Sequence, residues 1–402
     1  MRYAQLLPLF VMLTLAAGCQ STNVAPFGAG TKTIALETDE QKMWKDAERV
    51  ERRIEEVGLV YSNAELEAYI HSVAVRLVTN QLENPEVELR VRVLRGSYRN
   101  AWTFPNGVFY ITTGMLACLD SEAELAFVLG HETTHFIRRH SLKETRSVAN
   151  RNVWVNVLGG TSTVVGLGPV FGEIGSVWAT SAILGYSREL ENEADEQGLE
   201  ELVEAGYDPS AVLRVFEYLR EEDELEGETV KRQPSTHPQM SERVAHCREL
   251  LATRYAATAV PGRRINRDEY LAHVQQVLLD NAAIDEAANR LDFARRAVDK
   301  YIAQWPDSAP GYFARGELRR RDHGRDAAMQ VEAAYQEAAR LDSCFAEPHR
   351  ELGLLYRLEG RLREARDEFA DYLVLAPNAV DVRIIQRYVD ELGAEMALPT
   401  PP

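Results

Sequence analysis

Two histidines four residues apart, His131 and His135, enclose Glu132, Thr133 and Thr134. On a helix that spacing puts both imidazoles on one face about one turn apart, the geometry that two ligands of a single zinc ion require. Glu132 projects about 100° round the same helix, beside such a metal and not on it, where a base for a bound water belongs. A bare HExxH also fits a helix carrying two solvated histidines, so the surrounding sequence has to decide. A tetrahedral catalytic zinc that keeps a water needs a third protein ligand, and two histidines with a glutamate are a standard set. The run Ser187-Arg-Glu-Leu-Glu-Asn-Glu-Ala-Asp195 supplies the acidic candidates. Glu191 and Asp195 share a helical face, so one can bind the metal while the other accepts the outer N–H of a ligating histidine and fixes its tautomer. Glu189 and Glu193 compete, but Glu193 lies about 200° from Glu191 and cannot replace it without rotating the whole element. A metzincin pattern fails, because the required Gly and His after His135 are replaced by Arg138 and Ser141, with His140 one residue off.

These residues need elements to hold them. Ser121-x-x-Glu124 is a capping box, and Leu125, Val128, Leu129, Phe136 and Ile137 continue as an apolar face, which predicts a helix over 121–140. The acidic run continues into a helix that ends at Gly206, before Tyr207-Asp-Pro209. Upstream, Val87 to Val93 alternates as a half-buried strand, and Asn106-Gly107 is a hairpin turn inside Phe104–Ile111. The stretch Asn152–Tyr186 has Glu173 as its single charge, but seven glycines and Pro169 cut it into pieces shorter than a ~20-residue span. It is expected to pack near the site or to dip into a membrane surface. A few strands followed by many helices give an α+β, mostly helical chain with an all-α region after it.

The chain has 402 residues, more than one domain at ~150 residues each. Its 45% apolar and 27% charged residues are those of an ordinary folded protein. A net charge of −17 with no long basic run argues against nucleic acid as a partner. Neither a G-x-G-x-x-G fingerprint nor a P-loop is present. At the N-terminus, Arg2 and the apolar Leu6–Leu15 precede Ala16-Ala17-Gly18-Cys19, too short for a spanning helix and readable as a secretory signal. The small residues before Cys19 resemble a bacterial lipobox, which implies diacylation of Cys19, and Gln20 after it favours the outer membrane. Ser21 to Lys32 reads as a tether. Cys118, Cys247 and Cys344 remain, with Cys118–Cys247 as a conceivable bridge.

A repeat occupies the last third. Val298-x-x-Tyr301-x-x-x-Trp305 recurs as Tyr335-x-x-Ala338-x-x-x-Asp342 and as Phe369-x-x-Tyr372-x-x-x-Ala376, at steps of 37 and 34 residues. Gly316 and Gly353 line up in the same register. The shorter step is the tetratricopeptide period, and the longer one fits it with an insertion around Asp322–Asp326. Helix pairs of that kind stack into surfaces that bind segments of other proteins.

Taken together, His131 to His135 followed by His140-Ser141, Asn100-Ala-x-x-x-Pro105-x-Gly107, Ser187 to Asp195, Ala205-Gly-Tyr-Asp-Pro209, and Ser235-Thr-His237-Pro238 with Glu242-Arg243 resemble the HtpX-type zinc metallopeptidases. The signal and the C-terminal repeats are closest in architecture to that family's periplasmic BepA branch. The resemblance implies a gluzincin-like fold, one Zn²⁺ per chain on His131, His135 and Glu191, Glu132 as base, Asp195 behind a ligand, and a role for His237 at the metal or the oxyanion. It also implies that strand 108–112 or its neighbour offers an edge to extended substrates. The organisation expected is a lipoprotein signal over 1–18, a lipidated Cys19 and flexible tether over 19–44, the peptidase over 45–255, a helical linker over 256–285, repeats over 286–395 and a tail over 396–402. The function implied is a zinc endopeptidase of the periplasm, anchored to the membrane through Cys19. It would cut unfolded or misassembled envelope proteins, with repeats recruiting clients or the outer-membrane assembly machinery. The competing reading is an assembly chaperone or scaffold whose zinc is mainly structural or latent.

Overall fold

The computed structural model describes residues 21–27, 36–78, 88–150, 177–226, 240–258, 262–321 and 325–396. The signal segment, Cys19, residues 152–176 and His237 lie outside them. Helices α1 (Thr38–Glu56) and α2 (Ala64–Val78) precede strands β1 (Arg90–Leu94), β2 (Ala101–Thr103) and β3 (Val108–Thr112). Then follow α3 (Thr113–Cys118), α4 (Glu122–Ile137), α5 (His140–Asn150), α6 (Val177–Leu184), α7 (Arg188–Glu204), α8 (Ala211–Glu226) and α9 (Met240–Ala252). The helical C-terminal part comprises α10 (Arg267–Ala287), α11 (Leu291–Gln304), α12 (Ala309–Arg319), α13 (Arg325–Leu341), α14 (Ala346–Leu358), α15 (Leu362–Leu375) and α16 (Val382–Met396). No described helix is long and apolar enough to cross a membrane.

The sheet has the order β1-β3-β2, with β1 parallel and β2 antiparallel to β3. Strand β3 is buried at all five positions because it is covered on both faces. Val108 and Tyr110 pack with Met43, Ala47, Val50 and Ile54 of α1, while Phe109 and Ile111 meet α2 and α4. The hairpin joining β2 to β3 closes through the Gly107 N–H donating to the Phe104 carbonyl at 3.0 Å, with Gly107 at φ +80°. Being bonded on both sides, β3 (108–112) offers no open edge, which corrects that half of the sequence expectation. Its neighbours β1 and β2 are the two edge strands among the described residues.

The helix expected over 121–140 is two helices. Ser121 caps α4 by accepting the Glu124 N–H, and the Glu124 carboxylate reaches back to the Asp120 N–H. The helix stops at Ile137 because Arg139 takes φ +56°, held there by an ion pair with buried Glu40. The segment read as a tether is laid down at 21–27. The Phe27 N–H donates to the Ile137 carbonyl at 2.9 Å, and Arg139 and Arg146 donate to the Ala25 and Ser21 carbonyls at 3.0 Å each.

Helix α10 spans the expected linker and buries Tyr270, Leu271, Val274, Val277 and Leu278. Beyond it, Val298 and Tyr301, Tyr335 and Ala338, and Phe369 and Tyr372 are all buried, so the repeating positions face the helix stack. A Cβ on Gly316 would lie 2.4 Å from the Tyr335 ring, and one on Gly353 would lie 2.5 Å from the Phe369 ring. The insertion expected around Asp322–Asp326 begins in residues 322–324, which lie outside the described ones.

Where the helical part meets the peptidase part, Lys300 donates to the Ala117, Cys118 and Leu119 carbonyls at the end of α3. Beside it, Asn281 donates to Asp285, and Arg290 pairs with Glu222 and Asp285. Burial, reinforced by Glu222 and opposed by Arg290, Arg99 and Asn281, raises the Asp285 carboxyl to about 7. The folded state therefore holds a proton that the unfolded chain releases near pH 4. The stability carried by that proton is complete below pH 4 and is lost as pH rises through about 7. Asp285→Asn is expected to gain on the wild type by up to about 3 kcal/mol between pH 5 and pH 8. Thermal melts at both pH values test this, and a constant difference between the two proteins would refute it.

Candidate metal centre

The site is built where α4 and α7 cross. A Cβ on Gly198 would lie 2.7 Å from the His131 backbone nitrogen, and one on Gly130 would lie 3.1 Å from the Gly198 carbonyl. Only two glycines allow backbones this close, and the contact sets Glu191 and Asp195 of α7 against His131 and His135 of α4. Gly198→Ala should push α7 away, costing about 1–3 kcal/mol of stability and weakening metal binding. A variant that melts and binds zinc like the wild type would show that the crossing has slack.

The inner nitrogens converge. Nε2 of His131 and Nε2 of His135 are 3.0 Å apart, with Glu191 oxygens 3.6 and 3.8 Å from them. All three side chains are buried, and the ligand atoms lie within 4.8 Å of one another. The outer nitrogens are engaged elsewhere, His131 Nδ1 with Asp195 at 2.9 Å and His135 Nδ1 with His140 Nδ1 at 2.8 Å. Burial, with His131 next to it, lowers the His135 pKa well below its ordinary value, so the ring is neutral and able to donate a lone pair. Two imidazole nitrogens and a carboxylate facing one small buried space fit a divalent ion, and the donor set suits zinc.

Glu191 is fixed by the Tyr186 backbone N–H at 2.9 Å and by Arg243 Nη1 at 2.9 Å. The Tyr186 ring stacks on His135 with centroids 4.3 Å apart, and its hydroxyl meets Ser141 Oγ. Burial alone would raise Asp195, but the Arg243 charge and hydrogen bonds of 2.6 and 2.7 Å hold it below the usual carboxylate range. Glu132 is buried, and that burial plus the charge of Glu191 pushes its carboxyl well up, against Arg243 and the backbone N–H of Thr103 on β2. The site carboxylate thus touches an edge strand of the sheet.

The structure brings together His131, Glu132, His135, Glu191 and Asp195, while Glu189 is exposed. Glu193 lies off the metal face, as its angle on the helix requires, and meets His140. Sequence reasoning missed Arg243 and Tyr186 as parts of the site. Arg243 was visible only as part of the Glu242-Arg243 pair, and nothing in Tyr186 announces its contacts. Cys118 and Cys247 are free, so the conceivable bridge does not form.

Two buried imidazoles with a glutamate between them and a third acidic ligand from a later helix form a candidate metal centre of the kind metallopeptidases use. Residues 62–251 match the model of Peptidase family M48. Mitochondrial metalloendopeptidase OMA1 of Arabidopsis thaliana is 32% identical over 160 residues, 40% of this chain and 30% of that protein. The beta-barrel assembly-enhancing protease of Yersinia pestis is 26% identical over 250 residues, 58% of this chain and 50% of that protein. Metalloprotease YcaL of Escherichia coli is 27% identical over 158 residues, 38% of this chain and 59% of that protein. The chain thus spans half the length, or less, of the first two of these relatives.

Proposed function

We propose that this protein is a zinc endopeptidase hydrolysing unfolded or misassembled envelope proteins from a lipid anchor at Cys19 on the periplasmic side, in the outer membrane. The observation that carries the peptidase reading is the convergence of His131, His135 and Glu191 with Glu132 buried beside them. A zinc ion held by those three residues would supply Lewis acidity toward a carbonyl and a water of lowered pKa. Glu132 takes the proton from the attacking water and returns it to the nitrogen of the leaving segment. Arg243 and Tyr186 hold Glu191 in place, and Asp195 orients His131. An extended substrate pairs along the side of β2 away from β3, giving recognition through the backbone with little dependence on side chains.

The leader sequence supports the anchor, and the name of the Yersinia pestis relative supports envelope clients. The matching Gly316–Tyr335 and Gly353–Phe369 contacts support tetratricopeptide repeats, which recruit clients or assembly partners. Zinc content and casein cleavage, measured together on wild type, Glu132→Gln and His237→Ala, test the reading. One zinc per chain with cleavage lost in Glu132→Gln is the expected result. Zinc without cleavage in either wild type or His237→Ala would favour the scaffold instead. Faster cleavage by His237→Ala marks that residue as a latch, slower cleavage marks it as an oxyanion donor, and an unchanged rate removes it from the site.

A further inference from the structure

The two histidines of the centre are supported from behind by different chemistry. His131 Nδ1 faces a carboxylate, Asp195, at 2.9 Å. His135 Nδ1 faces another imidazole, His140 Nδ1, at 2.8 Å, and His140 Nε2 in turn lies 3.3 Å from Glu193 Oε2. A nitrogen-to-nitrogen contact between imidazoles holds one proton, so one ordering serves when His135 offers Nε2 to a metal. The proton of His135 is then on Nδ1, His140 accepts it with Nδ1, and His140 donates its own Nε2–H to Glu193. Lys143 and Arg138 flank Glu193 at 3.6 and 3.5 Å and keep it an acceptor.

We propose that His140 and Glu193 form a relay of positioning residues that sets the tautomer and ring plane of His135 for metal binding. The proposal rests on the reading that His131, His135 and Glu191 hold zinc. His140 is completely buried, and the left-handed turn at Arg139 aims it back at α4 from the first position of α5. Glu193 is 37% exposed, so the relay runs from the metal pocket to the protein surface. Both residues are ones that ligand spacing discards, His140 as one place off a third histidine and Glu193 as facing away.

The test is the zinc affinity of the full chain, measured by competition with a chromophoric chelator, with melting of the metal-free protein as the folding control. His140→Phe keeps a ring in the space and removes both nitrogens, and should weaken zinc about 10–100-fold. His140→Asn offers an amide oxygen near the position of Nδ1 and should recover affinity to within a few-fold. Glu193→Ala, at the surface, should give an intermediate loss and decides the question alone if His140→Phe fails to fold. Wild-type affinity in a folded His140→Phe or in Glu193→Ala would overturn the relay. So would His140→Asn as weak as His140→Phe, since the ring would then act by packing. His135→Ala is the control for the underlying reading: if it still binds zinc as the wild type does, the metal lies elsewhere, and the failure belongs to the site and not to the relay.

Discussion

Replacing Glu132 with glutamine should leave zinc content at one per chain and slow peptide cleavage by about 10²–10⁴-fold, the usual contribution of a positioned acid–base group. Glutamine has the same shape, and its amide oxygen can still accept the Thr103 N–H that the carboxylate accepts. It cannot take a proton from water or return one to an amine. The folded protein should not suffer, because the carboxyl at this position is pushed up by burial and by Glu191, so a neutral amide relieves the pocket. Cleavage of casein by folded, zinc-loaded Glu132→Gln at the wild-type rate would sink the acid–base role.

The second large effect is expected at Arg243. Its guanidinium is 4% exposed and pairs with Glu191 at 2.9 Å and with Asp195 at 2.6 Å, while its plane lies over the Phe216 ring at 5.2 Å. Arg243→Met keeps much of the volume and leaves two buried carboxylates without their cation. Removing one partner of a buried pair costs about 3–5 kcal/mol. Zinc would give Glu191 a new cation, and Asp195 still has His131, so the loss should be largest in the metal-free protein. Thermal melts with and without a chelator should show the gap between the two states widening in Arg243→Met. Equal gaps in the variant and the wild type would mean that Arg243 does not share the carboxylates with the metal.

The spacing of His131, Glu132 and His135, the Glu191–Asp195 face, the helix end at Gly206 and the Asn106-Gly107 hairpin were legible because each is a local pattern with a local cause. The core-facing repeat positions were legible for the same reason, since helical period and step length are written along the chain. What was not legible depends on contacts between distant residues. Arg243 is 48 residues from Asp195 and is called into the site by charge, which no spacing rule encodes. The break after Ile137 needs a left-handed arginine, a conformation that the apolar pattern of 121–140 conceals, and Glu40 from α1 holds it. Strand 108–112 could not be ranked as central or edge until β1 was found alongside it in parallel, since pairing order is a tertiary fact. In the Ser21–Lys32 stretch, small and polar residues masked the two that matter, Val24 and Phe27, which are buried at 5% and 3% exposure.

The docked Ser21–Phe27 segment bears on where the proposed peptidase would work. Two peptide units separate Cys19 from Ser21, and an extended chain gains at most about 3.6 Å per residue. With Ser21 clamped by Arg146, an acyl chain on Cys19 would hold the peptidase domain against the lipid surface with about 7 Å of slack. The cleft would then patrol a thin layer above the bilayer, in a fixed attitude, and could not swing out on a leash. Polypeptides that dwell at that surface would meet it at high local concentration, and those free in the bulk would rarely do so. Proximity would select substrates before any side chain is read.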